Sequence, residues 1–147
     1  MSTYRTSTIP LVKAALVTML TTGEHVERQI DVHYGRPRDP SREQIIIGDT
    51  ASSSQEWALL GNRQRQEDYE IELQVRVMRP GDSQQEATER AFEIFAGVEL
   101  ELRTYPTLNV PGVISVQIAT PSLIEGVWDD QGFAALVDCA LRISARI

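Results

Sequence analysis

The spacing of hydrophobic residues changes several times along this chain, and each change predicts a new element. An apolar stripe at helical spacing, which Thr8 can cap and Gly23 can end, predicts a first helix. Apolar residues alternate with polar ones over Ile30–Tyr34 and cluster within Glu43–Gly48, which predicts two strands. Asp49–Gln66 shows no clear period, and its first six residues are typical of a mobile loop. The helical stripe consists of Val12, Ala15, Leu16, Met19 and Leu20.

The second half of the chain contains the clearest patterns. Every second residue of Tyr69–Val77 is apolar, which predicts a strand with one buried face. Ser83 and Glu86 then form a capping box that opens a second helix. Ile114–Ile118 and Phe133–Ile147 alternate again and predict two more strands.

The order α-β-β-β-α-β-β predicts a single α+β domain over residues 1–147. We expect a mainly antiparallel sheet with two amphipathic helices packed on one face. Long strands also leave open edges, which proteins either protect or pair with another chain.

Composition narrows the class of protein. A net charge of −7 argues against a dedicated nucleic-acid binder, because neutralising phosphates requires clustered Lys and Arg. Cys139 is the only cysteine, so an intramolecular disulfide is excluded. No apolar run approaches the roughly 20 residues of a membrane span, and the N-terminus lacks the apolar core of a signal peptide. We expect a protein that is made in a cytoplasm and used or assembled there.

No metal site or catalytic centre stands out in the sequence. His25 and His33 lie in different elements, so a zinc site is not expected, and the simpler interpretation is two solvent-exposed histidines. Cys139 lies on the inward face of a strand, where cysteine behaves as a small hydrophobe. Glu70 and Glu72 share a strand face, as an acid–base pair would, but such a row is more commonly a solvated sheet surface. We predict no enzymatic activity and no cofactor.

Arginines are the more informative charges. Arg36, Arg38 and Arg42 lie in one proline-restrained loop, and Arg63 and Arg65 lie in the segment without a clear period. Arginine on a stiffened loop pairs well with an acidic partner surface, although plain solubility is the alternative for each residue. We predict that these five arginines contribute to a protein interface.

Two segments carry a resemblance to a known family. They are YGRPRDPSRE at Tyr34–Glu43 and RPGDSQQEATER at Arg79–Arg90. With the chain length and the element order, they resemble the tail terminator proteins of long-tailed bacteriophages. The resemblance implies a virion protein that forms a homohexameric ring at the head–tail junction. Such a ring caps the head-proximal end of the tail tube, ends tube polymerisation and contacts the head-completion protein. DNA passes through its lumen without specific binding, and no cofactor is needed.

Other functions stay open at this stage. Another head–tail connector component, such as a stopper or tail-completion protein, would share the size, the location and the ring symmetry. A small cytoplasmic module that binds a ligand or peptide would instead be a monomer or dimer with an apolar cleft. A small enzyme that uses Glu70 and Glu72 would require a concave pocket around these carboxyl groups.

Overall fold

The computed structural model describes residues 7–37, 42–57, 65–81, 83–128 and 132–146. Within them the chain is α+β, as predicted, with two helices and a mostly antiparallel sheet. None of the helices in these ranges is long and apolar enough to cross a membrane. The elements are α1 (Ile9–Thr22), β1 (Asp31–Tyr34), β2 (Glu43–Trp57), β3 (Arg65–Pro80), α2 (Gln84–Thr104), β4 (Val113–Trp128) and β5 (Gly132–Arg146).

The five strands form one sheet in the order β1-β2-β3-β5-β4. Only the β1–β2 pair is parallel. The central strands β3 and β5 pair without a register shift from Gln66 opposite Arg146 to Pro80 opposite Gly132. β4 lies at one edge, and the short strand β1 covers only Gln44–Ile47 of β2 at the other. Much of β2 therefore has a strand on one side only within the described residues.

Both helices contribute to one hydrophobic core against the sheet. The alternate residues of Tyr69–Val77 are buried, which confirms the clearest strand prediction. The same holds for alternate residues of β5 from Ala135 to Ala145. α1 adds Val12, Leu16 and Leu20, and α2 adds Ala87, Ala91, Ile94, Phe95, Val98 and Leu102. The capping prediction for α2 also holds, since the Ser83 hydroxyl accepts a hydrogen bond from the Glu86 amide at 3.2 Å.

The segment predicted as a mobile loop is strand. β2 continues through it to Trp57, paired with β3. Ladder hydrogen bonds to a neighbouring strand hold this polar segment extended, so it needs no apolar face of its own. Two register shifts, between Ile47 and Thr50 and between Ala51 and Ser54, interrupt the alternation. The loop prediction failed because these irregularities hide the period of two.

The fourth strand is also longer than its sequence pattern indicates. Ile114–Ile118 forms only the first part of β4, which continues past Pro121 to Trp128. A register shift between Ala119 and Ser122 breaks the alternation at that point. The residues after the shift pair regularly with β5 and form the far end of the β4–β5 hairpin.

A buried carboxylate fixes the start of α1. Glu67, fully buried on β3, accepts hydrogen bonds from the Thr8 amide at 2.9 Å and the Thr8 hydroxyl at 3.0 Å, and also from the Ser7 hydroxyl. The Thr8 hydroxyl also lies 2.9 Å from the Tyr69 hydroxyl. Thr8 occupies the N-cap position, but the prediction that it caps α1 was wrong for its side chain, which makes no capping hydrogen bond. The Glu67 carboxylate instead contacts the helix N-terminus from the sheet, where a negative charge is favourable.

One arginine ties α2 to the segments on either side of β1. The Arg90 guanidinium lies 2.8 Å from a Glu27 carboxylate oxygen, before β1, and contacts the Glu43 carboxylate at the start of β2. The hydrogen bond from Arg90 is the largest influence on the Glu27 carboxyl, and it lowers the pKa of that group. α2 therefore holds the β1–β2 edge of the sheet in position.

We predict that stability falls steeply at high pH and that Tyr69 causes part of the fall. Burial raises the pKa of Tyr69 to about 12, a hydrogen bond with Thr8 opposes the rise, and the nearby Glu67 charge adds to it. Tyrosine in an unfolded chain ionises near pH 10. The stability that depends on neutral Tyr69 is therefore complete below about pH 10 and is lost as the pH rises towards 12.

Denaturant unfolding at a series of pH values from about 8 to 11.5 tests this prediction. Tyr69→Phe should reduce the fall in the free energy of unfolding as the pH rises. Tyr105→Phe changes an exposed residue and should leave the wild-type dependence on pH unchanged. Cys139 contributes equally in all three proteins, so the comparison isolates the tyrosine. Equal slopes in wild type and Tyr69→Phe would contradict the assignment.

Candidate assembly surfaces

Each long strand is longer than either helix. The four long strands have 15 or 16 residues and so extend roughly 50 Å. α1, with 14 residues, is about 21 Å long, and α2, with 21 residues, is about 31 Å long. Together the helices bury the inner faces of β3 from Glu67 to Val77 and of β5 from Ala135 to Ala145, whereas the far end of β4 stays exposed.

The edge strand β4 exposes apolar side chains on both faces. Ile124 is 58% exposed and Val127 is 72% exposed, with Leu123 and Ile114 also exposed. Leu123 and Ile124 are adjacent and so point to opposite faces of the sheet. Glu125 is the single charged residue of β4, and it accepts a hydrogen bond from Thr88 of α2. This exposed apolar edge is the feature of the fold that most needs a partner.

The opposite side of the sheet has a second open edge. β1 ends opposite Ile47, so Gly48–Trp57 of β2 has no strand on its outer side among the described residues. Like β4, this segment contains no lysine or arginine. Among the residues that the structure describes, one long open edge therefore lies at each end of the strand order.

The predicted interface arginines are only partly described. Arg36 and Arg42 are exposed, and no ion pair between described residues uses either of them. Arg38 and Arg63 lie outside the described residues, and so does the side chain of Arg65, whose backbone begins β3. An interface role for these five residues stays a prediction.

A groove of about 640 Å³ runs between the C-terminal ends of the two helices. Its lining includes the small and apolar side chains of Ala15, Met19 and Leu108. Glu101, which is 1% exposed, also lines it, and its carboxylate accepts a hydrogen bond from the His25 amide at 2.7 Å.

Gly23 makes this arrangement possible. A Cβ atom there would lie 2.3 to 2.6 Å from the carboxyl atoms of Glu101. The groove is therefore a concave surface with one fixed carboxylate in its wall.

The histidines and the cysteine do not form a reactive centre. His25 is exposed as predicted, but His33 is half-buried, so the prediction was wrong for His33: the neighbouring strand β2 places the buried Ile46 directly beside it. Within the described residues, no group of three or more His, Cys, Asp or Glu side chains could hold a metal ion. Cys139 is buried on β5, as predicted, and burial is the largest cause that raises the pKa of its thiol to about 12.

Glu70 and Glu72 lie on the sheet face opposite the helices. Glu70 accepts a hydrogen bond from Arg142 at 3.0 Å, and Glu72 accepts one from Gln74. Both are partly exposed in a shallow depression of about 350 Å³ that Asp138 also lines. This setting is that of a solvated, ion-paired sheet surface rather than an enclosed acid–base site.

Sequence reasoning missed the far end of β4 and the Glu101 groove. A signal for the first was present, since Ser122–Trp128 contains four large apolar residues and no basic one. Pro121 and the adjacent register shift concealed that this segment continues a strand. Glu101 gave no signal, because its contact with His25 joins residues that are 76 positions apart.

Comparisons with known proteins give a fold but no family. No protein-family model matches the sequence. No curated protein matches it either. Among solved structures, the chain is similar to one described as "Virion of native gene transfer agent (GTA) particle", with a TM-score of 0.67 and 10% sequence identity. The alignment covers 97% of this chain and 100% of that chain. The chain therefore has the fold of a virion protein over nearly its whole length.

We predict that the Cys139 thiol is unreactive in the folded protein. With a pKa about three units above that of a free thiol, the thiolate fraction near pH 8 falls roughly a thousandfold. A disulfide exchange reagent should label native protein at least that much more slowly than denatured protein, and the single cysteine makes the signal unambiguous. A Cys139→Ala, Ser122→Cys variant should label fast, because Ser122 is exposed. A native wild-type rate within tenfold of the denatured rate would show that the thiol is accessible.

Proposed function

We propose that this chain is a structural protein of a phage-like virion, where it acts as a tail terminator. In this role it forms a homohexameric ring that caps the head-proximal end of the tail tube, ends tube polymerisation and joins the tail to the head. The observation that carries the virion role is the likeness to a gene transfer agent virion chain, which extends over the whole of that chain. The narrower role as a terminator rests on the resemblance of Tyr34–Glu43 and Arg79–Arg90 to that family.

The surfaces of the fold support an assembly role. A ring is a head-to-tail assembly in which each copy meets its two neighbours through two different surfaces. The open edges of β4 and β2 lie on opposite sides of the sheet, as such an arrangement requires. In this proposal the partners are other copies of the chain, the tail tube protein and the head-completion protein. Assembly takes place in the host cytoplasm, and no reaction is catalysed.

The charge of the chain suits passage of DNA without binding. The net charge is −7, although the sheet face opposite the helices is mixed, with Arg76, Arg142 and Arg146 among Asp68, Glu70, Glu72 and Asp138. Acidic groups around a channel repel phosphate, so DNA in the lumen slides instead of docking. We therefore expect no specific affinity for DNA.

A different function has one observation in its favour. The groove between α1 and α2 has a volume within the range of small-molecule sites, which is roughly 300 to 1,000 Å³. A ligand-binding module would use this groove as a monomer or dimer and would not associate with tail tubes. A stopper or tail-completion protein would form a ring but bind the head side instead of a free tube end.

The mass of the protein, alone and mixed with its tail-tube protein, tests the proposal directly. We expect a sixfold ring, either free or at one end of each tube, visible by electron microscopy. A ring that binds heads but not tail tubes would indicate another connector component. A monomer that binds neither tubes nor heads would contradict the terminator role, and the groove would then be the candidate functional site.

Charge reversal tests the arginine loop separately. The triple variant Arg36→Glu, Arg38→Glu, Arg42→Glu should lose ring formation or tail joining, because these side chains are expected to meet acidic surfaces. The matched control reverses the exposed residues Arg28, Arg103 and Arg146, which gives the same change in net charge. Normal assembly of the loop variant would remove these three arginines from the interface.

A further inference from the structure

We propose that neighbouring copies of this chain join by strand pairing. The outer edge of β4 in one copy pairs with the outer edge of Gly48–Trp57 of β2 in the next copy. The five-stranded sheets then become one continuous sheet around the ring. This inference rests on the proposed ring and names the two surfaces that build it.

The first argument is the placement of the edges. β4 has 16 residues and lies at one end of the strand order, whereas at the other end no strand of the described residues covers the last ten residues of β2. Every open edge presents unpaired backbone donors and acceptors, which template pairing with another strand. A chain with one such edge on each side pairs head to tail, and this mode of pairing closes into a ring when the rotation per copy allows it.

The second argument is the absence of lysine and arginine. Lysine is the charged residue that natural edges use most to prevent unwanted pairing, and the charges in these two segments are the acidic Asp49, Glu56 and Glu125. The chain has 14 lysines and arginines, but none lies in Val113–Trp128 or in Gly48–Trp57. Both edges contain bulges instead, at Ile47–Thr50 and Ala51–Ser54 in β2 and at Ala119–Ser122 in β4. Bulges bend strands, and bending is what a sheet needs in order to close on itself.

The third argument is the apolar surface at the far end of β4. Ile124 lies on one face, and Leu123 and Val127 lie on the other, all of them exposed. A strand added along this edge brings side chains next to both groups and removes them from water.

Two blocked variants test the pairing. Ile124→Lys with Val127→Lys blocks the β4 edge at positions that are already exposed. Asp49→Lys with Thr50→Lys blocks the β2 edge with charges on both faces. Leu11→Lys with Leu100→Lys is the matched control, since both leucines are exposed on helices and the number of added lysines is the same. Circular dichroism and slow labelling of Cys139 show that each variant is folded.

Each blocked variant keeps one competent edge, so the expected result is specific. Neither variant should form rings alone, and an equimolar mixture should form a heterodimer that contains one copy of each, seen by native mass spectrometry. The control should form wild-type rings. Where wild-type rings form only on tail tubes, the same proteins are compared for capping of tubes.

Other outcomes overturn the inference in distinguishable ways. Rings in either blocked variant would show that the edges are not the joint, while the proposed ring itself would stand. Dimers of the β2-blocked variant alone would indicate β4–β4 pairing instead. If the β4-blocked variant forms rings that fail to bind tubes, the β4 edge contacts the tube protein instead of a neighbouring copy. A wild-type chain that forms no ring, free or on tubes, would overturn both the proposed function and this inference.

Discussion

Burial of apolar side chains between the two helices and one face of a long-stranded sheet is the interaction on which this structure depends. Strands of 15 or 16 residues reach roughly 50 Å, whereas α1 and α2 reach about 21 and 31 Å. The two helices together cover the inner faces of β3 from Glu67 to Val77 and of β5 from Ala135 to Ala145, whereas the far end of the edge strand β4 stays exposed. Backbone pairing within each hairpin satisfies its inner edge, but the outer edges and the apolar side chains at Leu123–Val127 have no cover within the described chain. The hydrophobic core is therefore buried within one copy of the chain, whereas part of the apolar surface of its sheet stays exposed.

Buried polar contacts decide where the helices sit over the sheet. Glu67 holds the start of α1 through Thr8, and Arg90 holds α2 against Glu27 and Glu43. Glu67 is fully buried and Arg90 is half-buried, and each is bound by several partners, the condition under which a charge is tolerated away from water. These contacts involve neither the outer edge of β4 nor that of Gly48–Trp57, so the residues that position the helices differ from those that form the open edges.

The likeness to a gene transfer agent virion chain at 10% identity is consistent with this separation. A core of this kind requires only apolar residues at alternate strand positions and along helix stripes, and many sequences satisfy that requirement. Interfaces are more demanding, because shape and charge must match a particular neighbour. Two chains with the same fold can therefore assemble with different partners, and the role of this chain has to be tested on its own edges, loop and groove.

The sequence by itself determined the fold class, the order of the elements and the buried faces of β3 and β5. A half-buried strand must alternate and a packed helix must repeat its stripe wherever the partner lies, so local spacing suffices. Only the tertiary structure decided that β1 is parallel to β2, that β2 and β4 extend far beyond their apolar patterns, and that Glu67 and Glu101 are buried. Those features depend on bulges that erase the period and on contacts between residues about 60 to 80 positions apart, such as Thr8 with Glu67. No local pattern records such contacts, because residues so far apart in the sequence meet only in the folded chain.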